Sequence, residues 1–402
     1  MSLYDKKDFR SIDWFTVLLV FALVGFGLIA LSSVLAAPFD GTEQGISGIL
    51  SRLNLDYVQR QIINFLVGLA GMIVFMVFDY NIFKPLITYA YIGIIGLLAL
   101  LFVIGKARGG AQGWFVFDSI QRNIQPAELS KIVVIIMSAK ICARAMDNDG
   151  RITRFRDIAE TVGLTLIPFL LIALQPDLGS AFVLIIILIF MLFAARIKWY
   201  WMVGAAVAVG TAAPLAYFFV MKPYQQQRII SFLNPDYDPT GAGMQVARSK
   251  IVIGSGGLRG KGFFSSTTLS QLKYVPERHT DFIYSGVVEA VGFIGGAIVI
   301  IALFALALRW IWIAVKARDN FGMLLAVGVT GMLVAHAFEN IGMTIGLMPM
   351  TGIPLPFISY GGSNMLTNMI GVGIVLNVYM RHPVKKKRKR GHAHDKGDVM
   401  IG

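Results

Sequence analysis

Residues 274–292 read YVPERHTDFIYSGVVEAVG. Glu277, Arg278, His279 and Asp281 crowd the first eight positions, and a predominantly apolar run follows from Phe282 to about residue 308. An apolar run of that length is a membrane span. It places Asp281 at the membrane edge, where a carboxylate is costly and needs a partner or a task.

The rest of the chain agrees with a membrane solvent. Of 402 residues, 56% are hydrophobic and 15% charged, with a mean hydropathy of +0.68. That balance excludes an ordinary soluble domain. The net charge of +13 is scattered over loops and one tail, so it does not indicate a nucleic-acid partner. The single cysteine, Cys142, excludes an internal disulfide and a cysteine-based metal cluster. Lys6, Lys7 and Arg10 before an apolar run resemble a signal peptide. The run from Trp14 to Ala36 is too long for one, and reads as a retained span.

Ten apolar stretches are expected to cross: 14–36, 61–79, 85–105, 127–145, 160–175, 178–195, 199–221, 282–308, 321–345 and 357–380. Only Pro176-Asp177 separates the fifth from the sixth, which predicts a tight hairpin. Placing the N-terminus inside leaves 22 of the 36 Lys and Arg on cytoplasmic segments, as the positive-inside rule requires. The expectation is an all-α polytopic protein, N-in and C-in, with a large outer loop at about 222–281 between the seventh and eighth spans. Residues 1–382 read as one membrane domain and 383–402 as a basic, disordered cytoplasmic tail. The tail's Lys385–Arg390 run suits anionic lipid.

In this topology the polar residues of the spans gather on the outer side. Glu128 and Lys131 open the fourth span, Asp177 tips the hairpin, and Asp281, Ser285 and Glu289 open the eighth. His336, Glu339 and Asn340 lie in the ninth; Ser359, Tyr360, Ser363 and Asn364 open the tenth. An outward polar cavity is expected. Simpler roles stand beside it. Glu128 and Lys131 are spaced to pair, Asp177 is placed to cap a helix, and His336 is expected to donate an interhelical hydrogen bond. Asp281 or Thr280 is placed to cap the eighth span. Against capping, Arg278, Asp281, Ser285 and Glu289 follow 3, 4, 4 spacing and would share one helix face. Spacing alone leaves capping and general-base catalysis both open for Asp281.

The outer loop carries eight basic residues against four acids, a balance of +4. Within it, IGSGGLRGKGF at 253–263 holds five glycines. Glycines let amides approach an anion, but the lysine-serine ending of a phosphate loop is missing. A flexible loop is the plainer reading.

Several motifs, in order, resemble the SEDS (RodA/FtsW) family of peptidoglycan polymerases. They are QPAELSK at 125–131, QPDLGSA at 175–181, YQQQRIISFLNPDYDPTGAGMQ at 224–245 and SKIVIGSGGLRGKGF at 249–263. SQLKYVPERHTDFI at 270–283 and GLMPMTGIPLPFISYGGSN at 346–364 complete the set. The similarity covers about residues 10–382, and the TGIPLP and PERHTDF wording resembles the elongation branch, RodA. Two departures stand out: Gly113-Trp114 where many members have Arg-Trp, and Asn364 where serine is usual.

The resemblance implies a ten-helix bacterial inner-membrane enzyme that polymerises lipid II into β-1,4-linked glycan, with inversion, on the outer face. By resemblance the essential aspartate falls on Asp281 and an acid–lysine pair on Glu128 and Lys131. Arg228, Asp177 and Glu289 also match motif positions. Lys261 and Arg278 are further candidate contacts for substrate. The implied partners are lipid II, a class B penicillin-binding protein and other elongation-complex membrane proteins. No organic cofactor is expected. An Mg²⁺ or Mn²⁺ ion would be loosely held by carboxylate and pyrophosphate oxygens. A lipid II flippase and a non-catalytic scaffold are the alternatives.

Overall fold

The computed structural model describes residues 12–38, 52–108, 111–117, 122–219, 221, 223–234, 241–265 and 268–382. The basic tail, the N-terminal lysines and the Asp236/Asp238 part of the outer loop lie outside them.

Ten long helices occur among the described residues. They are α1 (Trp14–Leu35), α2 (Leu55–Val77), α3 (Phe83–Ile104), α4 (Pro126–Asp149), α5 (Phe155–Leu174), α6 (Leu178–Ala194), α7 (Trp199–Phe219), α10 (Ile283–Val315), α11 (Asn320–Ile345) and α12 (Gly362–Met380). Two shorter ones, α8 (Pro223–Leu233) and α9 (Ala242–Gly256), lie in the outer-loop sequence. Seven helices are long and apolar enough to cross a membrane: α1, α2, α3 with its preceding turn, α5, α7, α10 and α11. The 17-residue α6 is apolar but shorter. α4 and α12 are longer, and Glu128, Ser130, Lys131 and Ser138 of α4 and Ser363, Asn364, Thr367, Asn368 and Asn377 of α12 are buried. The chain is a multi-pass membrane protein.

Three departures from the expected elements have local causes. Between α3 and α4 lies an antiparallel sheet of β1 (Lys106–Arg108), β2 (Ala111–Phe117) and β3 (Arg122–Ile124), in that order. The all-α expectation passed over it, although Trp114, Phe115, Val116 and Phe117 are strand formers. The last helix starts at residue 362 rather than 357, because Pro354 and Pro356 keep the preceding segment extended. The helix after Asp281 breaks at Gly292, with φ 73° and ψ −177°, a conformation that glycine alone adopts without strain.

α11 forms the centre, packed on α4, α6, α10 and α12. α2 lies along α12, and α9 along α10. None of the described side chains of α7 is buried. At the end of the bundle away from Asp281, Arg309 grips Asp13 with Nε at 3.1 Å from both carboxylate oxygens and Nη2 at 2.5 Å from one. This pair is a charged tie at the end of the bundle away from the polar residues gathered near Asp281.

Candidate active site

Asp281 precedes α10 rather than lying on it. The helix begins at Ile283, its N-cap is Phe282, and no side chain caps it. That removes the capping reading. It also corrects the shared-face expectation: Arg278 and Asp281 sit in a turn, and only Ser285 and Glu289 are helical. The turn closes with the Phe282 amide donating to the Glu277 carbonyl at 3.1 Å.

Four other elements pin this turn. Arg278 is buried and its Nε donates to the Val34 carbonyl at 3.1 Å, at the end of α1. The Tyr360 amide donates to the His279 carbonyl at 3.0 Å, and Ser359 Oγ donates to the Thr280 carbonyl at 2.7 Å. Asn340 Nδ2, from α11, donates to the carbonyl of Asp281 itself at 2.8 Å and to that of Ile353 at 2.7 Å. Tyr57 from α2 packs edge-on against His279 and Tyr360, each with ring centroids 5.3 Å away. These bonds hold the backbone and spend no carboxylate oxygen of Asp281. Its Oδ2 lies beside Gly352, 3.5 Å from where a Cβ would stand. Dense surrounding protein, and secondarily the negative charge of Glu277, push the Asp281 carboxyl up to about 7. Burial alone depresses the Arg278 guanidinium from its ordinary value more than Glu277 restores it.

Behind the turn lies a buried polar layer. Lys131 Nζ meets Glu128 Oε1 at 2.6 Å and His336 Nε2 at 2.8 Å, with both members of the ion pair almost completely buried. An ammonium only donates, so the His336 ring nitrogen accepts here, the reverse of the expected role. Pro126 starts α4 where its missing N–H costs nothing, which puts Glu128 in the first turn. Asn364, the departure from the family's serine, extends Nδ2 to 3.5 Å from Glu128 Oε2. Asp177 caps α6 through Ser180 N at 3.0 Å, and its other oxygen accepts from Gln125 Nε2 at 2.7 Å.

Glu289 and Lys261 pair with each other, Lys261 Nζ donating to Glu289 Oε1. Glu289 accepts from the Leu269 and Ser270 amides at 2.6 and 2.9 Å, from Ser270 Oγ at 2.6 Å and from Lys261 Nζ at 2.9 Å. It anchors the 255–270 segment to α10. The glycine-rich motif is neither a phosphate cradle nor a loose loop. The Lys261 and Gly262 amides donate to the Glu289 and Ala290 carbonyls at 2.9 and 2.8 Å, and Phe293 N donates back to the Gly257 carbonyl at 2.9 Å. The two backbones touch where α10 breaks: a Cβ on Gly260 would overlap Ala290, and one on Gly292 would overlap Gly260.

Two cations and one acid remain less committed. Arg228 on α8 lies in electrostatic range of Asp281. Lys250 on α9 is exposed. Glu339 on α11 is fully buried, and the Thr351 hydroxyl is the hydrogen-bonding side chain within reach of its carboxylate. Lys131, Glu128 and Asp177 are in electrostatic range of it. Asn340 and Glu339 were visible in sequence as polar residues of an apolar span, but nothing in their spacing connected them to Asp281.

Residues 14–383 match the model of the family FTSW_RODA_SPOVE, described as cell cycle protein. The chain belongs to this family. In the FtsW/RodA/SpoVE family, the peptidoglycan glycosyltransferase MrdB of Escherichia coli strain K12 is 36% identical over 341 residues, covering 83% of this chain and 88% of its own. The probable peptidoglycan glycosyltransferase FtsW of Geobacter metallireducens is 36% identical over 383 residues, covering 94% and 97%. A chain from a structure described as showing the structural coordination of polymerization and crosslinking by a peptidoglycan synthase complex superposes with a TM-score of 0.75. Its identity is 29%, covering 92% of this chain and 98% of that one. The Thermus thermophilus rod shape determining protein RodA gives a TM-score of 0.66 at 26% identity, covering 93% and 99%.

Among the described residues no three His, Cys, Asp or Glu side chains converge to hold an ion.

Proposed function

We propose that this protein polymerises lipid II into β-1,4-linked glycan strands at the outer face of the bacterial cytoplasmic membrane, during cell elongation, with Asp281 as general base. The observation that carries the reading is the state of Asp281. The turn that carries it is held by four other elements, its side chain does not cap α10, and the protein packed around it pushes its carboxyl up to about 7. A base with that value is ionised at working pH and still accepts a proton.

The reaction is an inverting displacement. The acceptor's C4 hydroxyl attacks C1 of the donor sugar, its proton passes to Asp281, and the C1–oxygen bond breaks. The electron pair leaves with undecaprenyl pyrophosphate. Arg228 is the cation placed to balance the departing charge. Lys131 and Lys261 are already paired to Glu128 and Glu289. They act by holding the acids that organise the site, together with Asp177 and Arg278. An Mg²⁺ or Mn²⁺ ion would be held loosely by carboxylate and pyrophosphate oxygens and would supply positive charge to the leaving group.

Ten crossings with both termini in the cytoplasm place the Asp281 turn outside, consistent with the distribution of Lys and Arg. A class B penicillin-binding protein is the proposed partner, since the superposed complex couples polymerization to crosslinking. The test is fluorescent lipid II with the purified chain. Wild type yields polymer, while Asp281→Asn folds and yields none. Translocation without polymer would establish a flippase, and neither product a scaffold.

A further inference from the structure

Helices α8 and α9 and the segment following α11 line an open cleft of about 90 Å³. Arg228 and Ser231 line it from one face of α8, since three positions bring side chains together. Lys250 enters from α9, and Gly346 and Met350 close the far side. The apolar members are ordinary packing; the polar ones are not.

Ser231 is 4% exposed, and its Oγ has no hydrogen-bond partner. A serine in a helix normally donates to the carbonyl three or four residues back. Leaving a buried hydroxyl unpaired is destabilising. Neither Arg228 nor Lys250 has a salt-bridge or hydrogen-bond partner among the described residues. Lys250 gains its position from Gly346, where a Cβ would overlap its Cε and Nζ, and where φ is +78°.

Lys250 could serve merely as a cation at the negative end of α11. That end is already closed, because Gly346 N donates to Met343 and both Leu347 N and Met348 N donate to Gly342. The lysine makes none of those bonds. Two unpaired cations and one orphaned hydroxyl facing a single cleft are the donor set for a phosphate-type oxyanion.

We propose that the cleft binds a pyrophosphate group through Arg228, Lys250 and Ser231. This rests on the polymerase reading and deepens it. The group is the pyrophosphate of the lipid-linked donor, held by the same Arg228 that acts on Asp281. Arg228 then belongs to the leaving-group site while standing in electrostatic range of the base. An anionic phospholipid headgroup offers the same chemistry, so the test separates the two sources.

The probe is inorganic pyrophosphate, titrated by calorimetry into the full chain in phosphatidylcholine nanodiscs. Lipid II polymerisation is measured on the same samples. Wild type binds pyrophosphate, Lys250→Gln weakens binding roughly 10-fold or more, and Ser231→Ala weakens it about 3- to 10-fold. Lys250→Gln also raises KM for lipid II more than it lowers kcat. Unaltered pyrophosphate affinity and KM in both folded variants overturn the site and leave the polymerase reading intact. Lysine-dependent binding in a chain that makes no glycan supports the site and rejects that reading. Phosphatidylglycerol discs that abolish pyrophosphate binding, with an unchanged KM in Lys250→Gln, assign the cleft to a headgroup and overturn the proposal.

Discussion

Asn340 Nδ2 donates to the carbonyl of Asp281 at 2.8 Å and, from the same nitrogen, to the carbonyl of Ile353 at 2.7 Å. One buried amide of α11 thus ties the proposed base to the segment that carries Gly352, over which the Asp281 carboxylate lies. Asn340→Ala removes both bonds and leaves two carbonyls short of a partner. A stability loss of about 2 kcal/mol is expected, with a larger relative loss of glycan synthesis because Asp281 loses its registration. A drop in thermal midpoint with unchanged activity per folded molecule would show that the bond is only structural.

The pH dependence follows from the Asp281 carboxyl near 7. Below that value the base is protonated, so polymerisation falls as pH drops through 7, and a plateau lies above it. Glu277 is exposed and, after burial, is the next largest contributor to the raised value. Glu277→Gln therefore moves the acid limb to lower pH. For stability the sign is the opposite of a salt-bridged aspartate. Between the unfolded carboxylate value near 4 and about 7, the folded state holds a proton the unfolded state lacks, so stability declines as pH rises across that window. Asp281→Asn should remove this component of the decline, as measured by thermal melts in detergent at stepped pH.

Lys131 and Glu128 form a nearly dry ion pair. Lys131→Met strands the carboxylate and should cost about 3–5 kcal/mol. Adding Glu128→Gln should restore much of that loss. If neither variant makes glycan, the pair serves the reaction as well as the fold. An active double variant reduces it to a structural tie.

Glu339 presents the converse case, a buried carboxylate with no ion pair among the described residues. Glu339→Gln removes the cost of burying a potential charge, and should raise the thermal midpoint while lowering polymerisation. A lowered midpoint would mean that the acid has a partner the glutamine cannot replace.

Glu289 receives two backbone amides, two hydroxyls and Lys261. Glu289→Gln should loosen the 255–270 segment and speed limited proteolysis there, with the helices of the bundle unaffected. Equal cleavage rates in variant and wild type would argue against the anchoring role.

The helices were legible because lipid leaves a strong mark on sequence: each long apolar run from Trp14 to Met380 became a helix within a few residues. The hairpin at Pro176-Asp177 and the Glu128–Lys131 pair were legible because spacings of three or four residues are local. The small sheet was not, since its strands are short. The glycine motif misled for another reason. Its amides satisfy the carbonyls of a helix broken at Gly292, and no local pattern announces which backbone a glycine will touch.

The sequence by itself determined a multi-pass helical protein, its family, and Asp281 as the acid at the membrane edge. These rest on hydropathy and on motifs contiguous in the chain. Tertiary structure decided what Asp281 is bonded to, why it titrates high, and which cations remain unpaired. Those properties depend on Val34, Asn340, Gly352, Ser359 and Arg228, residues distant along the chain, and on the exclusion of water that only their packing around one turn creates.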